Sequence, residues 1–399
     1  MNPKIAQLHS YPFEKLAFLK ENVTPNETLS PIALSIGEPK HAPPEFVLSE
    51  LSGQLSSISQ YPLTKGSIEL RQAISNWLTK RFGLAEFSIN PEENVLPVNG
   101  TREALFAFAQ AVIDPSEQAT ILSPNPFYQI YEGAAILAGA NIQFMNTTGD
   151  NNFLPDLDNI DKAVWQKCQL IYICSPGNPT GKVLDEKFLT QLLNLAEEFD
   201  FIIAADECYS EIYFNEQNPP TGLLEVAART GRDNFERCIV FHSLSKRSNL
   251  PGLRSGFVAG DKNILKQFLR YRTYHGCAMP MPTQAASVVA WNDEQHVIQN
   301  RNLYREKFDK VLQILSPVIN VTKPDAGFYL WPETPLNDET FAKELFAQKN
   351  VTVLPGSYLS RISDNINPGE NRVRMALVAE IDQCVDAANR IKDFILENT

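Results

Sequence analysis

The chain lacks several signatures that would settle its class at once. No two cysteines stand at Cys-x-x-Cys spacing, no basic run or Arg-rich stripe occurs, and there is no repeat or low-complexity tract. Six cysteines are scattered singly at 168, 174, 208, 238, 277 and 384, mostly inside apolar runs. They read as reduced core thiols of a cytoplasmic protein, which argues against a disulfide or zinc framework. Lysine and arginine number 35 against 47 acidic residues, a net charge of −12, so nucleic acid is not an expected partner. The first residues, Met1 to His9, form no apolar signal core, and no later run is long enough to span a bilayer, so no membrane partner is expected either. What remains is a chain of 399 residues, 43% hydrophobic and 21% charged, which is ordinary for a globular protein with a large core. An acidic chain that binds an anionic ligand must gather its few cations at the site.

From about residue 68, helical periods alternate with short apolar runs. Ile68 to Arg81 has a helical pattern. Val95-Leu96-Pro97-Val98 is strand-like and leads through Asn99-Gly100-Thr101 into a helix over Arg102 to Val112. Ala119 to Leu122, Leu170 to Cys174, Phe201 to Ala205 and Cys238 to Phe241 read as buried strands, with a helix from Glu186 to Phe199 between two of them. This predicts an α/β fold with a mostly parallel sheet and crossover helices. After Pro282 the pattern changes to one long helical stretch, Thr283 to Leu315. Short strands follow around Phe328 to Trp331, Val351 to Leu354 and Arg372 to Leu377, and then a C-terminal helix. The expectation is a large unit over 46–285 and a smaller α+β unit from 1–45 and 286–399.

The richest segment runs from Ser243 to Gly256. Lys246 follows a buried strand, with Ser243 and Ser245 beside it and Arg254 eight residues on. Lysine amines condense with carbonyl cofactors such as pyridoxal phosphate, while hydroxyls and a guanidinium suit the phosphate. Such loops at strand carboxyl ends are where open α/β sheets take ligands. Asp206 closes another strand and can hold a pyridine nitrogen protonated, with Tyr209 three residues on. Asn178 sits in the rigid turn Ser175 to Gly181. Thr101 and Arg102 open a helix whose free N–H groups favour a phosphate, and Tyr128 can stack on a ring. Arg374 stands two residues from Arg372, at the spacing that puts both on one strand face, and can fork a carboxylate. Read singly, each motif also fits an ordinary cap, turn or core contact.

Together they resemble a family. Tyr61, Asn178-Pro179-Thr180-Gly181, Asp206-x-x-Tyr209, Ser243-x-Ser245-Lys246, Arg254 and Arg374 stand in the order of the class I/II pyridoxal-phosphate aminotransferases of fold type I, over nearly the whole chain. The resemblance implies that Lys246 binds the cofactor and that Asp206, Tyr209 and Asn178 contact its ring. It gives the phosphate to Thr101, Arg102, Ser243, Ser245 and Arg254, the stacking position to Tyr128, and the substrate carboxylate to Arg374 near Gly37. It implies that Tyr61 reaches the neighbouring subunit's phosphate in a homodimer. The substrates would be small amino and keto acids. The stretches His242 to Asp261 and Tyr274 to Pro280 resemble bacterial succinyldiaminopimelate aminotransferases of lysine synthesis most closely. Aspartate, alanine and LL-diaminopimelate aminotransferases share the cofactor residues, and a pyridoxal-phosphate β-lyase would use the same cup.

Overall fold

The structure, a computed structural model, describes residues 1–398. Strand β1 (Ile32–Ala33) lies in the N-terminal segment. Seven strands then build the main sheet: β2 (Val95–Val98), β3 (Thr120–Asn125), β4 (Asn141–Asn146), β5 (Cys168–Cys174), β6 (Ile202–Asp206), β7 (Cys238–Ser243) and β8 (Gly256–Gly260). Their order is β2-β8-β7-β6-β5-β3-β4, and only β8 runs against its neighbours β2 and β7. The interior strands are mostly buried apolar residues because helices cover both faces, the pattern a buried parallel sheet demands, and their polar residues gather toward the ends. One face packs the core around Trp77, Phe188, Leu192, Phe257 and Trp291; the other packs around Phe108, Tyr131, Tyr172, Phe241 and Phe268.

A second apolar cluster gathers Ile32, Leu34, Phe308, Phe341, Val373, Met375 and Phe394. Strands β9 (Tyr329–Leu330), β11 (Leu354–Pro355) and β12 (Val373–Ala376) form its three-stranded antiparallel sheet, while β10 (Val351–Thr352) pairs with β1. The N-terminal segment thus belongs to the same packing as the C-terminal residues. Among the described residues no helix is long and apolar enough to cross a membrane.

Four elements differ from the sequence reading. The stretch Thr283 to Leu315 is two helices, Met281–Asn292 and Gln295–Leu315. Asp293 between them is extended, and its carboxylate takes the His296 N–H at 3.0 Å from the residue ahead of the second helix's N-cap, Glu294. The apolar run Val351 to Leu354 is divided between two sheets. Strands β4 and β8 carry weak sequence signals. β4 is a half-exposed edge strand in which Asn141, Gln143 and Asn146 interrupt Ile142, Phe144 and Met145, and β8 is bounded by glycines, one of which could not take a Cβ without meeting the Cys238 carbonyl at 1.9 Å.

Candidate active site

The carboxyl ends of β2, β3, β5, β6 and β7 open on one edge of the sheet. Because β8 is antiparallel, its amino end opens there too, and this brings Arg254, two residues ahead of it, to the same edge. A cavity of about 640 Å³ lies over that edge. Twelve of the thirteen residues singled out from the sequence line it: Gly37, Thr101, Arg102, Tyr128, Asn178, Asp206, Tyr209, Ser243, Ser245, Lys246, Arg254 and Arg374. Tyr61 does not; it is fully exposed, elsewhere on the surface.

Lys246 rides on the single turn Leu244–Arg247 directly after β7, with Ser243 capping that turn by accepting the Ser245 N–H at 3.1 Å. Its Nζ donates to the Gly37 carbonyl at 2.5 Å and lies over the rings of Phe328 and Tyr209. Burial is the main cause that pushes its pKa down, to about 8, with Cys208 opposing and Arg374 adding to the fall. Asp206, at the end of β6, is 5% exposed and takes the Tyr131 hydroxyl at 2.8 Å. Burial raises its pKa; hydrogen bonds from Cys208 and Tyr131 pull the other way. Tyr131 is itself held by stacking on Tyr172, centroids 4.6 Å apart.

Arg374, on β12, reaches across from the smaller sheet. Its guanidinium donates to Asn178 Oδ1 at 3.0 Å and to the Ser35 carbonyl at 2.8 Å and lies over the Tyr329 ring. Arg372 points to the Trp331 carbonyl and the Phe153 ring, so only one of the pair enters the cavity. Tyr209 and Tyr329 share a hydrogen bond between hydroxyls at 3.0 Å. Arg102 turns toward the mouth, where Nε donates to Tyr128 Oη at 2.6 Å and Nη2 to Tyr11 Oη at 3.2 Å.

Sequence reasoning missed Tyr11, Glu38, Cys208 and Tyr329 as lining residues. Cys208 lies between two singled-out residues, and its Sγ is 3.1 Å from Thr101 Oγ1. Tyr329 sat in a run read only as a strand. Tyr11 precedes the helix Pro12–Lys20, whose Leu16 packs with Trp331, Leu354 and Leu359, and no local pattern announces where that helix docks.

The residues fit an anionic ring cofactor. Helix Thr101–Val112 begins without a side-chain cap, leaving its first N–H groups to a ligand at the positive end of the dipole. Its N-cap, Gly100, has φ +87°, and a Cβ there would lie 2.3 Å from Arg254 Nη2, so the cradle depends on the missing side chain. Gly37 is similar: a Cβ would strike the Tyr329 hydroxyl at 2.0 Å. Arg374 Nε is buried and has no hydrogen-bond partner among the described residues.

The family model for aminotransferase class I and II matches residues 30–391. A solved aminotransferase from Neisseria meningitidis is 48% identical, with TM-score 0.95, over 99% of this chain and 100% of that one. LL-diaminopimelate aminotransferase of Dehalococcoides mccartyi is 31% identical over 369 residues, 91% of each chain. The solved probable N-succinyldiaminopimelate aminotransferase of Thermus thermophilus is 25% identical, with TM-score 0.85, over 96% of this chain and 99% of that one. The chain belongs to the class I and II aminotransferases. It is a pyridoxal-phosphate-dependent transaminase of the α/β fold that family shares. When bound, pyridoxal phosphate supplies a carbonyl that takes up amino groups and a pyridine ring that withdraws electrons from the substrate Cα.

Proposed function

We propose that the enzyme moves an amino group from glutamate to N-succinyl-2-amino-6-oxopimelate, in bacterial lysine and diaminopimelate synthesis. The observation that carries the reaction is the convergence of Lys246, Asp206, Asn178 and Arg374 on one cavity from separate strands and sheets. Lys246, buried and close to neutral pH in its titration, holds the cofactor and then carries the proton to and from the substrate Cα. Asp206 faces the pyridine nitrogen, and the proton held there balances its buried charge. Asn178 and Tyr209 take the ring oxygen. Thr101, Ser243, Ser245, Arg254 and the uncapped helix start hold the phosphate, with Tyr128 against the ring. Arg374 clamps the α-carboxylate common to both substrates. The two substrates react in turn, so the kinetics are ping-pong.

The substrate class rests on the names of relatives and on charge. Of the four cations that line the cavity among the described residues, Lys246, Arg254 and Arg374 have roles above. Arg102 remains, at the mouth among tyrosine hydroxyls, where it is available to the distal carboxylates that glutamate and a pimelate both carry. This moves Arg102 from the phosphate toward the substrate while its backbone stays at the helix start. The names of the LL-diaminopimelate relatives support a second reading, in which the succinyl group is absent. The test is kcat/KM for the succinylated substrate against unsuccinylated LL-diaminopimelate, aspartate and alanine, with and without a keto acid. A preference of tenfold or more for an unsuccinylated amino acid, about 1.4 kcal/mol, sinks the succinyl reading. Turnover without any keto acid points to lyase chemistry.

A further inference from the structure

Behind Lys246 runs a buried chain of polar side chains outside the cavity. Lys307, 2% exposed on helix Gln295–Leu315, places Nζ 2.6 Å from His41 Nε2. The other ring nitrogen, Nδ1, is 2.7 Å from Asn300 Oδ1. That oxygen also accepts from Asn249 Nδ2 at 3.0 Å, while Asn300 Nδ2 faces the carbonyls of Lys246 and Arg247 at 3.4 and 3.5 Å. The donor directions follow from the chemistry. An ammonium has no lone pair, so Nε2 must accept. The neutral ring then carries its proton on Nδ1 and donates to Asn300, whose amide N–H groups are left for the two carbonyls.

His41 ends a segment that touches the site repeatedly. Leu34 is bonded to both Thr352 and Ala376, the Ser35 carbonyl takes Arg374, and the Gly37 carbonyl takes Lys246 Nζ. Four residues beyond Gly37 the chain is fastened again, by His41, to the helix that also approaches the Lys246 backbone.

We propose that His41 is a positioning residue. By bridging Lys307 and Asn300 it fixes the segment 35–41 against Lys246, and so sets where Gly37 and the Arg374 guanidinium stand relative to the reacting amine. The inference rests on the roles of Lys246 and Arg374 given above. The groups facing the ring are Lys307 and Tyr304 from helix Gln295–Leu315 and Glu380 near the start of the C-terminal helix; Cys384 on that helix and Lys40 share the surroundings of Glu380 and Lys307. Burial foremost, together with the Lys307 charge, holds the His41 pKa below its ordinary value against Asn300 and Glu380, so the ring stays a neutral acceptor at neutral pH. Protonation in acid would set two cations against each other and release the segment.

The rate at which pyridoxal phosphate recombines with the apoenzyme follows the free Lys246 amine, so its pH midpoint reports that amine separately from turnover. His41→Phe keeps the ring contact with Tyr304 and loses both hydrogen bonds; His41→Gln keeps a donor and an acceptor. His41→Phe is expected to move the midpoint down by half a unit or more, because the Gly37 carbonyl no longer favours the ammonium. It should also lower kcat/KM of the holoenzyme tenfold or more. His41→Gln should recover most of both, and Lys307→Met should move both in the direction of His41→Phe. Wild-type values in His41→Phe, or a His41→Gln as impaired as His41→Phe, overturn the proposal. If His41→Phe does not fold, an unchanged midpoint in Lys307→Met does so. Transamination by Lys246→Ala would instead sink the underlying reading.

Discussion

At the scale of residues, the site sets its chemistry by burial. A lysine in water is almost wholly protonated at pH 7, and an ammonium is no nucleophile. With Lys246 pushed down to about 8, roughly a tenth of the amines are free at pH 7 and half at pH 8. The sign follows directly: recombination of the apoenzyme with pyridoxal phosphate should speed up with pH, with its midpoint at about 8 and a plateau from about one pH unit higher, which stopped-flow absorbance measures. A midpoint near 10.5 would show that the amine is not desolvated. Lys246→Ala should lose transamination, and borohydride reduction of wild-type holoenzyme should leave the pyridoxyl adduct on Lys246; an adduct on another lysine refutes the assignment. Asp206 is the opposite case, a carboxylate whose burial disfavours its charge until a cation faces it. Asp206→Ala should cost on the order of 10²-fold or more in kcat. Tyr131→Phe removes one donor from that carboxylate while keeping the stack on Tyr172. A hydrogen bond to a charged group is worth about 1.5–3 kcal/mol, so a fall of roughly 10- to 100-fold in kcat is expected. Unchanged turnover in Tyr131→Phe would mean that Asp206 does not depend on this support.

At the scale of elements, the cavity exists because strand ends and helix starts meet there, and two glycines keep it open. Gly37→Ala would drive a methyl into the Tyr329 hydroxyl, which cannot retreat without giving up Tyr209. Gly100→Ala would press on Arg254 from a backbone at φ +87° that alanine resists. Gly100→Ala should therefore raise the dissociation constant for pyridoxal phosphate, by equilibrium titration of the apoenzyme. Gly37→Ala should mainly raise KM for amino acids. If the two effects are exchanged, the division of the cavity into phosphate and substrate ends is wrong. These elements also show how far the sequence was legible. Strands β5, β6 and β7 announce themselves as apolar runs because they are buried on both faces, and the polar residues that end them, Asp206 and Ser243 among them, stand out by contrast. Strand β4 gives no such signal because it is an edge. The helix break at Asp293 falls on one extended residue whose side chain takes a backbone N–H of the next helix. Tyr11 and Tyr329 reach the cavity through tertiary docking, which no spacing records.

At the scale of the whole molecule, one residue singled out from the sequence does not line the cavity in its own chain. Tyr61 is fully exposed, and Leu55, Ile58 and Leu63 near it in sequence are exposed apolar residues as well. A row of that kind is costly to leave in water and marks a surface suited to burial against another protein. We propose that the partner is a second copy, with Tyr61 of each subunit completing the phosphate site of the other. A two-fold dimer makes this testable, because it exchanges residues in both directions. Tyr61→Ala alone should weaken cofactor binding in both sites, and Lys246→Ala alone should inactivate both. In a hybrid of the two variants, one site takes its lysine from the Tyr61→Ala chain and its tyrosine from the Lys246→Ala chain, and is intact; the other site lacks both. After dissociation and random 1:1 reassembly, half the dimers are hybrids with one good site each, so about a quarter of wild-type activity should return. Assayed at a cofactor concentration that leaves Tyr61→Ala largely empty, a mixture no more active than the sum of its parts would show that Tyr61 serves its own subunit or none. A monomer by light scattering at the working concentration would sink the shared site outright.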